Sequence, residues 1–197
     1  MAQGEAGARS GSSCGNPFLH HIITSWIRTH AEEFLWTVRM FTNGRWRWSM
    51  GVPTFVQMEF RPMREERHGS AWKRPFKFAD VFMKVNSPSK YGTGHLDYNI
   101  IIEVKTGGFT PGWVDELTEL YQMRTTMWGS GSINILVLIA RRGEIDRAMQ
   151  YLTMVGKTFG RGFFFTFPLE PLMDRMMGDL LTVVADYFID NGSPIWP

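Results

Sequence analysis

Asp80, Glu103 and Lys105 combine residue types and a spacing that could hydrolyse a phosphodiester. Glu103 and Lys105 close the run 99–105 (NIIIEVK), where three isoleucines and Val104 call for a strand buried on at least one face. Side chains alternate across a strand, so Glu103 and Lys105 share one face while Ile102 and Val104 take the other. A carboxylate and an ammonium therefore sit together at the mouth of an apolar layer. Asp80 lies in residues 76–83 (FKFADVFM), which also read as a strand, and the turn-rich stretch 86–95 can fold this strand back beside 97–106. Two carboxylates from neighbouring strands can hold Mg²⁺, a hard cation that takes oxygen ligands and keeps several waters. A lysine beside them can orient a water or stabilise charge developing on a phosphate. Asp97 shares the face of Glu103, but six residues at ~3.3 Å each place it roughly 20 Å away, too far for a common metal.

An aspartate on one strand followed by Glu-x-Lys on the next resembles the PD-(D/E)xK nuclease superfamily, which includes restriction endonucleases, archaeal Holliday-junction resolvases and RecB-type exonucleases. The resemblance implies Asp80 and Glu103 as Mg²⁺ ligands, with Mn²⁺ able to substitute, the main-chain carbonyl of Val104 as a further ligand, and Lys105 as the catalytic lysine. It also implies a glutamate from the first helix at the metal, for which Glu33 is the better placed of Glu32 and Glu33. A glutamine in the helix after the motif is matched by Gln122, although helical phase points Gln122 away from the apolar face and brings Arg124 closer to it. Ala79 stands where the family pattern has proline. DNA is the implied substrate, and resolvase-like or restriction-like members imply a possible homodimer, with the apolar end 194–197 (PIWP) as one surface a partner could cover.

The elements that must position these residues are readable in order. Residues 1–15, small, polar and Gly/Ser-rich, are expected to form a flexible tail ahead of one domain over 16–197. Asn16-Pro17 offers an N-cap with proline at the first helical position, and Asn43-Gly44 offers a stop. Ile23, Trp26, Ile27, His30, Phe34, Val38 and Phe41 recur between them at helical spacing, which predicts one helix over 17–42. A hairpin of 35–41 with 45–50 is the second choice. Strands are expected at 55–61, 76–85, 97–106, 133–140 and 162–167, with helices at 113–128, 143–156 and 170–190. The order α-β-β-β-α-β-α-β-α gives an α/β fold. The resemblance implies a restriction-endonuclease-like α-β-β-β-α-β core, a mixed central sheet flanked by helices, with β and α elements added at its C-terminal end.

Charge is uneven along the chain. Residues 39–90 carry 11 Lys or Arg against four acids, whereas 91–197 carry eight against twelve. A phosphate-facing surface in the first half is one reading, with Arg45, Arg47, Arg61, Arg64, Arg67, Lys73 and Arg74 as contacts. A solvated face is the other, with Trp46 and Trp48 simply covering the core edge. No window approaches the ~20 apolar residues of a membrane span. One cysteine, Cys14, excludes a disulfide framework within the chain and a Cys/His zinc site, and leads to an expected intracellular, cytoplasmic location. Two functions follow from these residues: a Mg²⁺-dependent deoxyribonuclease, or a nuclease-like fold that binds DNA or assembles without cutting, in which Glu103–Lys105 is a structural ion pair.

Overall fold

Asn16 caps the first helix as its sequence announces: its side chain accepts from the main-chain N–H groups of Phe18 and Leu19, each at 3.1 Å, with Pro17 at the first helical position. A computed structural model describes residues 15–60, 79–89, 94–126, 132–160 and 162–190, with 59–60, 123–126 and 182–190 by their backbone alone. The single helix expected over 17–42 is two, α1 (Pro17–Thr29) and α2 (Ala31–Phe41), joined at His30. No glycine or proline marks this break. In the last turn of α1 the Thr29 hydroxyl donates to the carbonyls of Ser25 and Trp26, at 3.0 and 3.3 Å. At the far end the N–H of Gly44 bonds to the Arg39 carbonyl at 2.8 Å, with Asn43 and Gly44 both at positive φ, so Asn43-Gly44 does stop the helix.

Five strands form one open sheet in the order β1-β2-β3-β4-β5: β1 (Val52–Phe60), β2 (Ala79–Pro88), β3 (His95–Lys105), β4 (Ser132–Ala140) and β5 (Phe164–Pro168). The first three pair antiparallel, and β3, β4 and β5 run parallel. Parallel neighbours need crossovers, which α3 (Pro111–Thr126) and α4 (Arg142–Met154) supply. Because the parallel strands add in one direction, right-handed crossovers put both helices on the same face. There Trp113, Leu117, Leu120, Ile145 and Ala148 pack on Phe82, Ile101, Leu136 and Leu138. The opposite face takes α1, α2 and α5 (Glu170–Asp190), whose Ile23, Ile27, Phe34 and Leu172 cover Val81, Ile100, Ile102, Val137 and Phe167.

The architecture is thus an α/β fold with a five-stranded mixed open sheet flanked by helices. Both central strands are buried on two faces, β3 from Tyr98 to Val104 and β4 from Ile135 to Ala140. Each buried isoleucine there contributes about 2 kcal/mol. Three in a row offset the several kcal/mol that burying one carboxylate costs in their midst. Among the described residues no helix is long and apolar enough to cross a membrane.

Candidate active site

The ladder between β2 and β3 ends at Val81↔Ile102, and Asp80 and Glu103 occupy the next opposed positions. Here a side chain takes over from the main chain. Oδ2 of Asp80 accepts the N–H of Val104 at 2.7 Å, and the same oxygen lies 3.1 Å from Nε2 of His20, one turn into α1. Ala79 packs with the α3/α4 layer whereas Val81, two residues on, packs with the α1/α2/α5 layer, so strand alternation breaks around Asp80. Glu103 is 1% exposed, and its Oε1 lies 2.8 Å from Nζ of Lys105. The other oxygen, Oε2, is fully buried. Lys105 Nζ also bonds the carboxylate of Glu116 on α3.

These groups border a cleft of ≈ 370 Å³ at the carboxyl end of β3, walled by His20, Asp80, Val104, Lys105, Thr110, Trp113 and Glu116. The ends of parallel strands, where the chain turns into crossover helices, are where open α/β sheets form sites. Gly15 closes one side. A Cβ there would lie 2.8 Å from Thr106 Oγ1 and 3.0 Å from the Gly107 nitrogen, and the Thr106 hydroxyl donates to the Asn16 carbonyl at 3.1 Å. The chain entering α1 is thereby fastened to the loop leaving β3. Glu103 itself lies off the cleft wall, beneath Lys105.

Burial is the largest single influence on the Lys105 ammonium and lowers its pKa, but Glu103 and Glu116 together outweigh it and leave the pKa above an ordinary lysine's. The hydrogen bond to Asp80 raises the His20 imidazole above its usual range against an opposing effect of burial. Lys105 is therefore charged throughout the neutral range.

Of the expected site residues, Asp80, Glu103, Val104 and Lys105 come together. Glu33 does not. It borders two other clefts, with Glu32, Trp36 and Arg39 in one and with Arg28 and Thr54 in the other. Both lie by Pro53, which pairs with Val85, five residues or roughly 16 Å along β2 from Asp80. The break at His30 sends α2 to that end. Arg45 and Arg47 are exposed, with Trp48 buried and Trp46 stacked on it at 5.6 Å, so the tryptophans do cover the core edge. The Arg47 carbonyl accepts from Ser87, about 23 Å along β2 from Asp80. Gln122 is exposed on α3, as its phase required. Asp97 accepts from Asn86 at 2.7 Å, far from Glu103. Lys73, Arg74, residues 1–14 and 194–197 lie outside the described residues, as does the side chain of Arg124.

The sequence reading missed His20 and Glu116. Each had a signal: His20 falls one turn after the Asn16-Pro17 start of a helix, and Glu116 sits between Trp113 and Leu120 on the apolar side of its own. Among the described residues no group of three or more His, Cys, Asp or Glu side chains is assembled to hold a metal ion. The chain is thus an α/β protein with a strand-end cleft walled by Asp80, His20, Lys105 and Glu116, with the Glu103 carboxylate buried beneath Lys105. No protein-family model, curated protein or solved structure matches it.

Proposed function

We propose that this protein is a divalent-cation-dependent nuclease that hydrolyses DNA phosphodiester bonds in the cleft at the end of β3, acting inside the cell where DNA is present. The observation that carries the reading is the juxtaposition of Asp80, bonded to Val104 N–H, with the Glu103–Lys105 pair where two adjacent strands part. The element order supports it, since α-β-β-β-α-β with carboxylates on the second and third strands is the core that the PD-(D/E)xK resemblance implies, α1 and α2 standing for its first helix.

The donor set suits Mg²⁺ or Mn²⁺: Asp80 and Glu103, with the Val104 carbonyl, supply oxygen alone. Mg²⁺ is ordinarily held by one or two carboxylates and completed by water and substrate phosphate, so a set short of three clustered side chains is no obstacle. When bound, such a cation supplies Lewis-acid charge at the phosphate. The chain's own residues do the positioning. Val104 N–H and His20 fix the Asp80 carboxylate. Glu103 and Glu116 hold the Lys105 ammonium, which has three donors. Two engaged by carboxylates leave a third for a water or a phosphate oxygen in the cleft.

A second reading, DNA binding or assembly without cutting, is favoured by the burial of Glu103 behind Lys105, whose charge the fold already neutralises twice. One assay separates them: labelled linear duplex, single strand, supercoiled plasmid and four-way junction, incubated with Mg²⁺ or Mn²⁺ and with EDTA. Metal-dependent cutting that disappears in Glu103→Gln is the expected result. No cutting of any substrate under either metal overturns the nuclease reading, and retention of DNA in EDTA then supports the binding one.

A further inference from the structure

One of the two clefts that Glu33 borders lies between α2, the turn Arg47–Met50 and the start of β1, and plays no part in the proposed hydrolysis. At ≈ 490 Å³ it is larger than the strand-end cleft and falls within the range of small-ligand sites. One wall is a row on α2. Glu32, Trp36 and Arg39 lie within about 60° of one another on a helical wheel and span seven residues, or about 10 Å of helix. A carboxylate, an indole and a guanidinium thus follow one another in order, with Glu33 at the margin of the carboxylate end. Leu35, Met50 and Pro53 line the same cleft and make part of its surface apolar. Trp36 is 52% exposed, a costly position for so large a ring unless something flat covers it.

The charges here are not spent on one another. One turn on from the two glutamates stand Trp36 and Thr37, so neither has a helical partner, and among the described residues Glu32, Glu33 and Arg39 enter no ion pair. Arg175 of α5 lies over the Trp36 ring at 5.7 Å and is steadied by Asp179 at 3.5 Å, which itself accepts from Trp26 Nε1 at 3.3 Å. A guanidinium has five donors, so that single contact leaves most of them for a ligand. Two arginines beside an indole suit a phosphate next to a stacked ring. Carboxylates only accept, so the other end asks for a ligand edge made of N–H donors. A donor edge, a flat ring and an anion in that order over about 10 Å describe a nucleotide. Guanine fits best among the bases. It offers one carboxylate two adjacent N–H donors, where adenine, cytosine and uracil set an acceptor beside their donor.

We propose that the cleft along α2 is a second ligand site that takes a guanine mononucleotide, with the base on Trp36, the phosphate on Arg39 and Arg175, and the base's donor edge on Glu32 or Glu33. The test is isothermal titration calorimetry of the full chain in EDTA with 5′-GMP, 5′-AMP, 5′-UMP and guanosine, on the wild type and on three variants checked by far-UV circular dichroism. The wild type is expected to bind 5′-GMP at least about tenfold more tightly than the other two nucleotides, the scale of one hydrogen bond to a charged group. Trp36→Leu, at a half-exposed position, is expected to weaken 5′-GMP at least about fivefold through lost stacking. Arg39→Met weakens 5′-GMP but not guanosine, and Glu32→Gln/Glu33→Gln removes most of the preference for guanine while leaving the three nucleotides bound. Absence of 5′-GMP binding at millimolar concentration overturns the proposal. So does equal affinity for the three nucleotides, or binding of 5′-GMP that Trp36→Leu leaves unchanged, because the ligand then sits elsewhere. EDTA and the distance from Asp80 keep these outcomes separate from whether the strand-end cleft cuts DNA.

Discussion

Lys105→Met removes an ammonium that lies 2.8 Å from Oε1 of Glu103 and bonds Glu116, while keeping most of the apolar stem. The pair's Coulomb attraction is about 6 kcal/mol at an effective dielectric constant of about 20. Breaking a buried pair one-sidedly costs about 3–5 kcal/mol, because the remaining charge stays desolvated. Lys105 is 18% exposed and opens onto a cleft, so water recovers part of this, and a loss of about 3 kcal/mol is expected. In a chain of this size that lowers Tm by roughly 6–12 °C. The assay is thermal and urea unfolding followed by circular dichroism at neutral pH, with Glu103→Gln/Lys105→Met alongside. Neutralising both partners is expected to recover at least half of the loss. Lys105 has a folded-state pKa raised above 10.5, so its contribution is fully present below pH 10.5 and fades as pH rises through the folded value. The gap between wild type and variant therefore narrows in strong alkali. A Lys105→Met protein within about 0.5 kcal/mol of wild type, or a double variant whose loss is the simple sum of the singles, would refute the reasoning.

Three further outcomes are expected. Asp80→Ala leaves the Val104 N–H without its acceptor and costs about 1–3 kcal/mol in urea unfolding, whereas Asp80→Asn keeps an acceptor and recovers stability without recovering metal-dependent cleavage; equal stabilities for the two would count against it. His20, raised above 6.5 by Asp80, stabilises the fold fully below that pH and loses its contribution as pH rises through the raised value, so His20→Gln flattens the wild type's pH dependence near neutrality. An NMR titration of the wild-type imidazole at or below 6.5 would show the pair to be inert. Gly51→Ala places a Cβ 2.4 Å from Val85 Cγ1 and 2.5 Å from the Asn86 carbonyl oxygen; main chain cannot step aside cheaply, so a loss of about 1–3 kcal/mol in thermal unfolding is expected, and a neutral effect would contradict the close approach of β2.

Strands were legible where burial on both faces leaves an unbroken apolar run, as in Ile100–Ile102 and Ile135–Ile139, and the α5 boundaries emerged as expected at 170–190. The break at His30 was not, because Ile27 and Phe34 face the same core from two helices and keep helical spacing across the joint. Asp80, Glu103 and Lys105 were legible because charges at the end of an apolar strand need a reason. His20 and Glu116 look like ordinary helical polar residues, and only tertiary packing aims them at the cleft. Glu33 failed for the same cause in reverse: its phase on a continuous helix was read correctly, but the helix is not continuous.

The Asp80 carboxylate stands in the hydrogen-bond ladder where a backbone carbonyl would otherwise accept, which makes the Val104 amide a built-in indicator of that side chain. Any ligand that draws Asp80 toward the cleft must lengthen the bond to an amide near the carboxyl end of the sheet's central strand. Val104 would then shift in ¹⁵N correlation spectra and exchange its proton faster while Ile100 to Ile102, paired main chain to main chain, stay silent. One peak thus reads the chemistry of the cleft without a substrate having to be turned over.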